Sequence, residues 1–129
     1  MVASPITFRG MAELLHITER AVWLDAVRSG SYEMSTRGVT LADEGFIHCS
    51  LRHQLRGVAE NFYGDADDLV VLVIDSAKVP APVRYEPPEP GAGQEYPHIY
   101  GPLPADAVTD VIPVSRDAAG RLILPFQPE

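Results

Sequence analysis

Three of the four histidines are set among apolar residues: His16 in "ELLHIT", His48 in "EGFIHCS" and His98 in "YPHIYGPLP". Imidazole titrates near neutral pH, so it can accept or donate a proton or bond a ligand's hydroxyl. In the first two stretches a hydroxyl follows two residues later, Thr18 after His16 and Ser50 after His48. Alternate residues of a strand share a face, so each pair can address one cleft from a strand end. Thr18 and Ser50 also stand where helices should open, and free N–H groups at a helix start attract negative charge. The pattern predicts an imidazole, a hydroxyl and a helix N-terminus together, twice, with His16, His48 and His98 converging on one cleft. The ordinary alternative for any one of these histidines is a structural ring bonded to backbone, and for either hydroxyl a plain helix cap. An unpartnered buried ring costs about 1–3 kcal/mol, so each needs a partner or a ligand.

The third cluster, "GQEYPHIYGPLP" from Gly93 to Pro104, adds Glu95, Tyr96 and Tyr100 to His98. Its prolines oppose a helix. The segment reads as a stiff loop walling a cleft, with tyrosine faces free to stack on a flat ring. Arg52 and Arg56, near the start of the second helix, could meet a phosphate, although solvated surface is the ordinary role. No His-x-x-x-His or Cys-x-x-Cys pair is present, and His48 with His53 makes a poor chelate, so no built-in metal site is expected. No Gly-x-Ser-x-Gly elbow occurs, and "GAG" at Gly91 to Gly93 lacks the preceding strand and following helix of a phosphate loop. Cys49 alternates with His48 and should pack in the core as an inert thiol.

The elements that must position these residues follow from periodicity. "LLHI" reads as a first strand, with Thr18 capping the helix "ERAVWLDAVRSG" that ends at Gly30. "SYEMSTRGVTLADE" reads as irregular connection with a little extended structure, and "GFIHC" as a second strand. Ser50 should cap "LRHQLRGVAENFYG", where Leu51, Leu55, Val58, Ala59 and Phe62 recur at helical spacing. "LVVLVID" is a near-continuous apolar strand suited to the middle of a sheet. "VRYEPP" is a shorter extended piece, and "EPPEPGAGQEYP" a proline- and glycine-rich loop. "AVTDVIPV" and "GRLILP" read as late strands joined by a hairpin turn at "SRDAAG". The order, strand, helix, strand, helix and then mostly strands, predicts an α+β domain with two main helices beside a curved, largely antiparallel sheet.

The 129 residues suit one domain over 11–129, with 1–10 read as a disordered extension. Ten basic against eighteen acidic residues give a net charge of −8, which argues against a broad grip on nucleic acid. No apolar run nears the ~20 residues of a membrane helix. The start shows no secretory pattern and Cys49 is the sole cysteine, so a cytoplasmic setting is expected.

The chain resembles domain-of-unknown-function family 952, a family of small bacterial proteins. The resemblance rests on "LLHIT" with Trp23, "EGFIHCS" followed by "GVAENFYG", "LVVLVID", "VRYE", and "YPHIYGPLP" with "DVIPV", and runs from about Leu14 to Pro125. That family is grouped by fold with the ADP-ribosyltransferase-like superfamily. The grouping implies a split, curved sheet with a cleft for NAD, in which the nicotinamide–ribose bond breaks through a cation-like ribose. By the same resemblance His16 would orient the ribose, and His48 with Ser50 would fill the second-strand position. Glu95 or His98 would hold the late position, and Tyr96 or Tyr100 would stack on the ring. The superfamily usually places a carboxylate at that late position; a histidine there favours simple ligand binding. Thr18 and Arg52 complete the ligand-binding set. The expected ligand is a small phosphorylated nucleoside. Two readings stand side by side, an NAD-dependent ribosyl-transfer or dinucleotide-cleaving enzyme and a non-catalytic small-ligand module, with a protein-interaction domain as the third. Oligomeric state is left open.

Overall fold

"LVVLVID" forms β6 (Leu69–Asp75), buried along all but its last residue. A run that is apolar on both faces is stable only where both faces are covered. β6 accordingly lies between β1 (Glu13–Glu19) and β10 (Val108–Pro113), antiparallel to each. The computed structural model describes residues 12–87 and 93–126. The expected extension over 1–10 lies outside them, as do residues 88–92 of the proline-rich loop.

Two helices cover the central sheet. α1 (Arg20–Ser29) buries Trp23 and Ala26 on the face that carries Leu14, Val70, Leu72 and Ile74. The helix stops at Gly30, whose φ of 88° is a conformation that side chains disfavour. On the opposite face Leu15, Ile17, Val71 and Val73 pack against Leu55, Val58, Ala59 and Tyr63 of α3 (Leu55–Tyr63). Each large apolar side chain fully buried this way contributes about 1.5–3 kcal/mol.

Between the two helices run β2 (Ser31–Tyr32), β3 (Met34–Thr36), β4 (Val39–Thr40), the one-turn α2 (Leu41–Glu44) and β5 (Ile47–His48). Later come β7 (Val83–Glu86), β8 (Tyr96–Ile99) and β9 (Leu103–Pro104), and, after β10, the hairpin of β11 (Ser115–Arg116) and β12 (Leu122–Ile123). A second sheet has the order β5-β8-β7, all antiparallel. Ser50 joins the two sheets: it exchanges backbone hydrogen bonds of 2.9 and 2.7 Å with Leu15. The chain from Ile47 to Ser50 thus pairs first with β8 and then with β1, and the sheet forks between them. The α+β class with a mostly antiparallel sheet is as the periodicity predicts.

Three expectations are corrected. Thr18 does not cap α1: β1 continues through it because β6 offers a partner as far as Leu69, and Glu19 takes the cap position without a side-chain bond. Ser50 does not cap the second helix. A 3-10 turn (Arg52–Gln54) intervenes, where the Gln54 side-chain oxygen accepts from the Leu51 N–H at 3.0 Å. The segment Tyr96–Ile99 is a strand rather than loop; Pro97, which has no N–H to offer, gives its carbonyl to the Cys49 N–H at 2.9 Å. No helix among the described residues is long and apolar enough to cross a membrane.

Candidate functional site

The register of β5 against β8 sets His48 directly opposite His98. Ile47 and Ile99, the neighbouring pair, point to the other face and are fully buried in the α1 core. Phe46 and His48 therefore share a face with His98, and Phe46 stacks on the His98 ring at 4.0 Å between centroids and 16° between planes. These rings form one wall of a cleft of about 370 Å³. Val58, Asn61 and Phe62 of α3 form the facing wall. Ser35 and Thr36 of β3, Glu44 at the end of α2 and Tyr96 of β8 complete the rim. That volume is in the range of small-molecule sites.

Beside the cleft a chain of hydrogen bonds runs from His48 through buried His98 to the partly exposed Glu86. His48 Nδ1 lies 3.3 Å from His98 Nε2, and His98 Nδ1 lies 2.8 Å from Glu86 Oε1. The same carboxylate oxygen accepts from the Tyr100 hydroxyl at 2.5 Å. The Tyr100 and His98 bonds hold the Glu86 carboxyl below the usual carboxylate range, so it is ionised and can only accept. His98 Nδ1 must then carry its proton. With one proton on each ring, His98 Nε2 is a lone pair, His48 Nδ1–H donates to it, and His48 Nε2 is left as a bare acceptor. Among the described residues His48 Nε2 meets no protein partner. Burial, with the nearby His98 ring, lowers the His48 pKa to about 4, so the neutral acceptor form persists at neutral pH.

His16 is built differently. It is 3% exposed and lies on the α1 face of the sheet, opposite to the one that carries His48. Its Nδ1 is 2.7 Å from the His48 carbonyl oxygen, which can only accept, so Nδ1 is the donor. Its Nε2 then accepts from the Tyr32 hydroxyl at 2.7 Å. Burial lowers its pKa to about 4. At the fork in the sheet this ring takes the bond to the His48 carbonyl and closes the gap between the two sheets.

The expected convergence of three histidines is thus corrected: His48 and His98 meet, and His16 sits behind them with both nitrogens engaged. Thr18 is buried beside Tyr32, on the His16 side. Ser50 is buried and committed to the junction with β1. Neither hydroxyl lines the cleft. Arg52 pairs with Glu13 at 2.8 Å and lies over the Phe126 ring, away from it. The Glu95 side chain is also outside; its carbonyl accepts from the Gln54 amide at 2.7 Å. Tyr96 does stand in the cleft, 5.1 Å from the His48 ring, whereas Tyr100 acts from behind through Glu86. Among the described residues no three His, Cys, Asp or Glu side chains cluster as a metal site would require.

Glu86, Phe46, Glu44 and Asn61 were not singled out from the sequence. Phe46 could have been, since it alternates with His48. Glu86 ends the strand "VRYE", and its reach to His98 depends on a pairing between strands ten residues apart.

A protein-family model described as "Protein of unknown function (DUF952)" matches residues 17–111. The chain belongs to this family. The DUF952 match includes His48, Glu86 and His98 and begins one residue after His16. Among solved structures, the crystal structure of protein CC0527 from Caulobacter crescentus is 30% identical to this DUF952 chain. That match covers 87% of this chain and 94% of the other, with a TM-score of 0.73. The solution structure of CC0527 is likewise 30% identical, covering 85% and 90% with a TM-score of 0.67. No curated protein matches the chain.

Proposed function

We propose that the cleft binds a small ring-bearing molecule and exchanges a proton with it through His48. The observation that carries this reading is the chain Glu86–His98–His48, which ends in a bare ring nitrogen at the cleft. A proton taken at His48 Nε2 can be matched by transfer of the Nδ1 proton to His98. The result is a buried imidazolium bonded to the partly exposed Glu86 carboxylate, whose negative charge favours it. Phe46, Phe62 and Tyr96 supply flat apolar surface for a ring, while Ser35, Thr36 and Asn61 supply groups that donate or accept.

Ribosyl-transfer chemistry is a narrower use of the same cleft, and the nicotinamide ring is one that these walls suit. Two features count against a whole dinucleotide. No lysine or arginine stands among the lining residues to meet a pyrophosphate, and His16, the ring that would orient the ribose, is enclosed. The reading favoured here is therefore the smaller ligand. Pure binding without proton transfer would need no carboxylate bonded to the second histidine.

The test is acylation by diethyl pyrocarbonate, which attacks unprotonated, accessible imidazole nitrogens, followed by peptide mass mapping. His48 should label in the native protein, and its labelling should persist to about pH 5 because its pKa is held near 4. Buried His16 and His98 should be protected. Protection of His48 in the native protein, with exposed His53 labelled as control, would overturn the reading.

A further inference from the structure

Beside Ser35, Thr36 and Asn61, which donate or accept, the cleft offers groups that only accept. His48 Nε2 presents a lone pair, and Glu44 presents a carboxylate at the rim. The three aromatic rings in the lining, Phe46, Phe62 and Tyr96, turn electron-rich surface or edges to the same space. Phe62 is 47% exposed, so part of its ring is open to whatever enters the cleft. A basic side chain beside this wall is already committed: Arg37 bonds Asp65 at 2.7 Å and the Phe62 carbonyl at 3.2 Å. Arg84 lies over the Tyr100 ring, behind the cleft. The whole chain carries −8, so an anion approaching the cleft meets an unfavourable field as well as an acceptor-lined wall.

We infer that the ligand is a small organic cation, an ammonium or amidinium carried next to a flat ring. Its N–H groups would bond Glu44 and His48 Nε2, and its charge would lie against the faces of Phe46, Phe62 and Tyr96. This inference rests on the proposed binding role of the cleft and names the chemistry of its ligand. It also gives the His48 Nε2 lone pair a hydrogen-bond donor, the ammonium N–H, which keeps its proton. A neutral ring would gain the stacking alone. A carboxylate or phosphate would set charge against charge at Glu44 and lone pair against lone pair at His48.

Three probes with the same ring and different heads decide it: benzylammonium, benzyl alcohol and benzoate, each titrated into the full chain at pH 7 and low salt. Binding is read from backbone amide shifts. Benzylammonium should saturate with shifts centred on Phe46, His48 and Tyr96, at least about 10-fold tighter than benzyl alcohol, and benzoate should not saturate. Glu44→Gln, an exposed substitution outside the core, should bring benzylammonium down to the level of benzyl alcohol. The inference is overturned if benzoate binds as well as benzylammonium, if Glu44→Gln leaves benzylammonium affinity unchanged, or if no probe shifts the cleft. A failure here with His48 still labelled by the pyrocarbonate would remove the cation and leave the accessible base standing.

Discussion

His48 and His98 face each other across one antiparallel pair, and Nδ1 of the first lies 3.3 Å from Nε2 of the second. The pair is backed by Glu86, whose Oε1 lies 2.8 Å from His98 Nδ1. Replacing Glu86 by glutamine removes the charge that supports a proton on the rings. The His48 ring should then take up its proton at still lower pH, because the relay loses the anion that supports a proton passed on to the second ring. Histidine ring shifts followed by NMR from pH 8 to 4 would show this. An unchanged midpoint would mean that Glu86 does not act on the pair.

His16 is expected to matter for stability and not for the cleft. His16→Ala leaves the Tyr32 hydroxyl and the His48 carbonyl without their present partner and opens a cavity at the fork of the sheet. The loss should be about 2–4 kcal/mol. Urea unfolding measures it, and pyrocarbonate labelling of His48 in the folded variant should stay near the parent rate. A variant with parental stability would contradict the structural role.

Acid should destabilise the fold before its carboxylates titrate. Burial holds His16 and His48 near pKa 4 in the folded protein, against about 6.5 in an unfolded chain. Above pH 6.5 both states are neutral and stability is complete. Between pH 6.5 and 4 only the unfolded chain takes up protons, so stability falls as pH falls. His16 alone should account for about 2–3 kcal/mol between pH 7 and 4.5. Urea midpoints at the two pH values check this, and a flat profile would contradict it.

Cys49 is fully buried in the α1 core, and burial pushes its thiol pKa up. A thiol reagent should react slowly with the native protein and quickly in denaturant. Fast native labelling would contradict the register that turns Cys49 and His48 to opposite faces.

The central strand, the two packed helices and the parity of "GFIHCS" were legible because each rests on local periodicity. Phe46 with His48 on one face and Cys49 on the other follows from alternation alone. What alternation does not give is which face of one strand adjoins which face of the next. That depends on the bond between Leu15 and Ser50, where the sheets join, and it puts His16 on the opposite side from His48. The caps were misread for a related reason. Thr18 and Ser50 have the chemistry of N-caps, but strand pairing holds both in extended backbone. Glu86 acts through a contact distant in sequence, for which a single chain carries no signal.

The most direct test is a long-range proton–nitrogen correlation spectrum of the histidine rings at pH 7, assigned with His48→Gln and His98→Gln variants. The account predicts protons on Nδ1 of His16, His48 and His98 and a bare Nε2 on all three. It further predicts that a ligand exchanging a proton in the cleft moves the Nε2 signals of His48 and His98, which share the relayed proton, and leaves that of His16 unchanged. A proton on Nε2 of His48 at pH 7, with its Nδ1 bare, would reverse the hydrogen-bond chain and contradict the proposed acceptor.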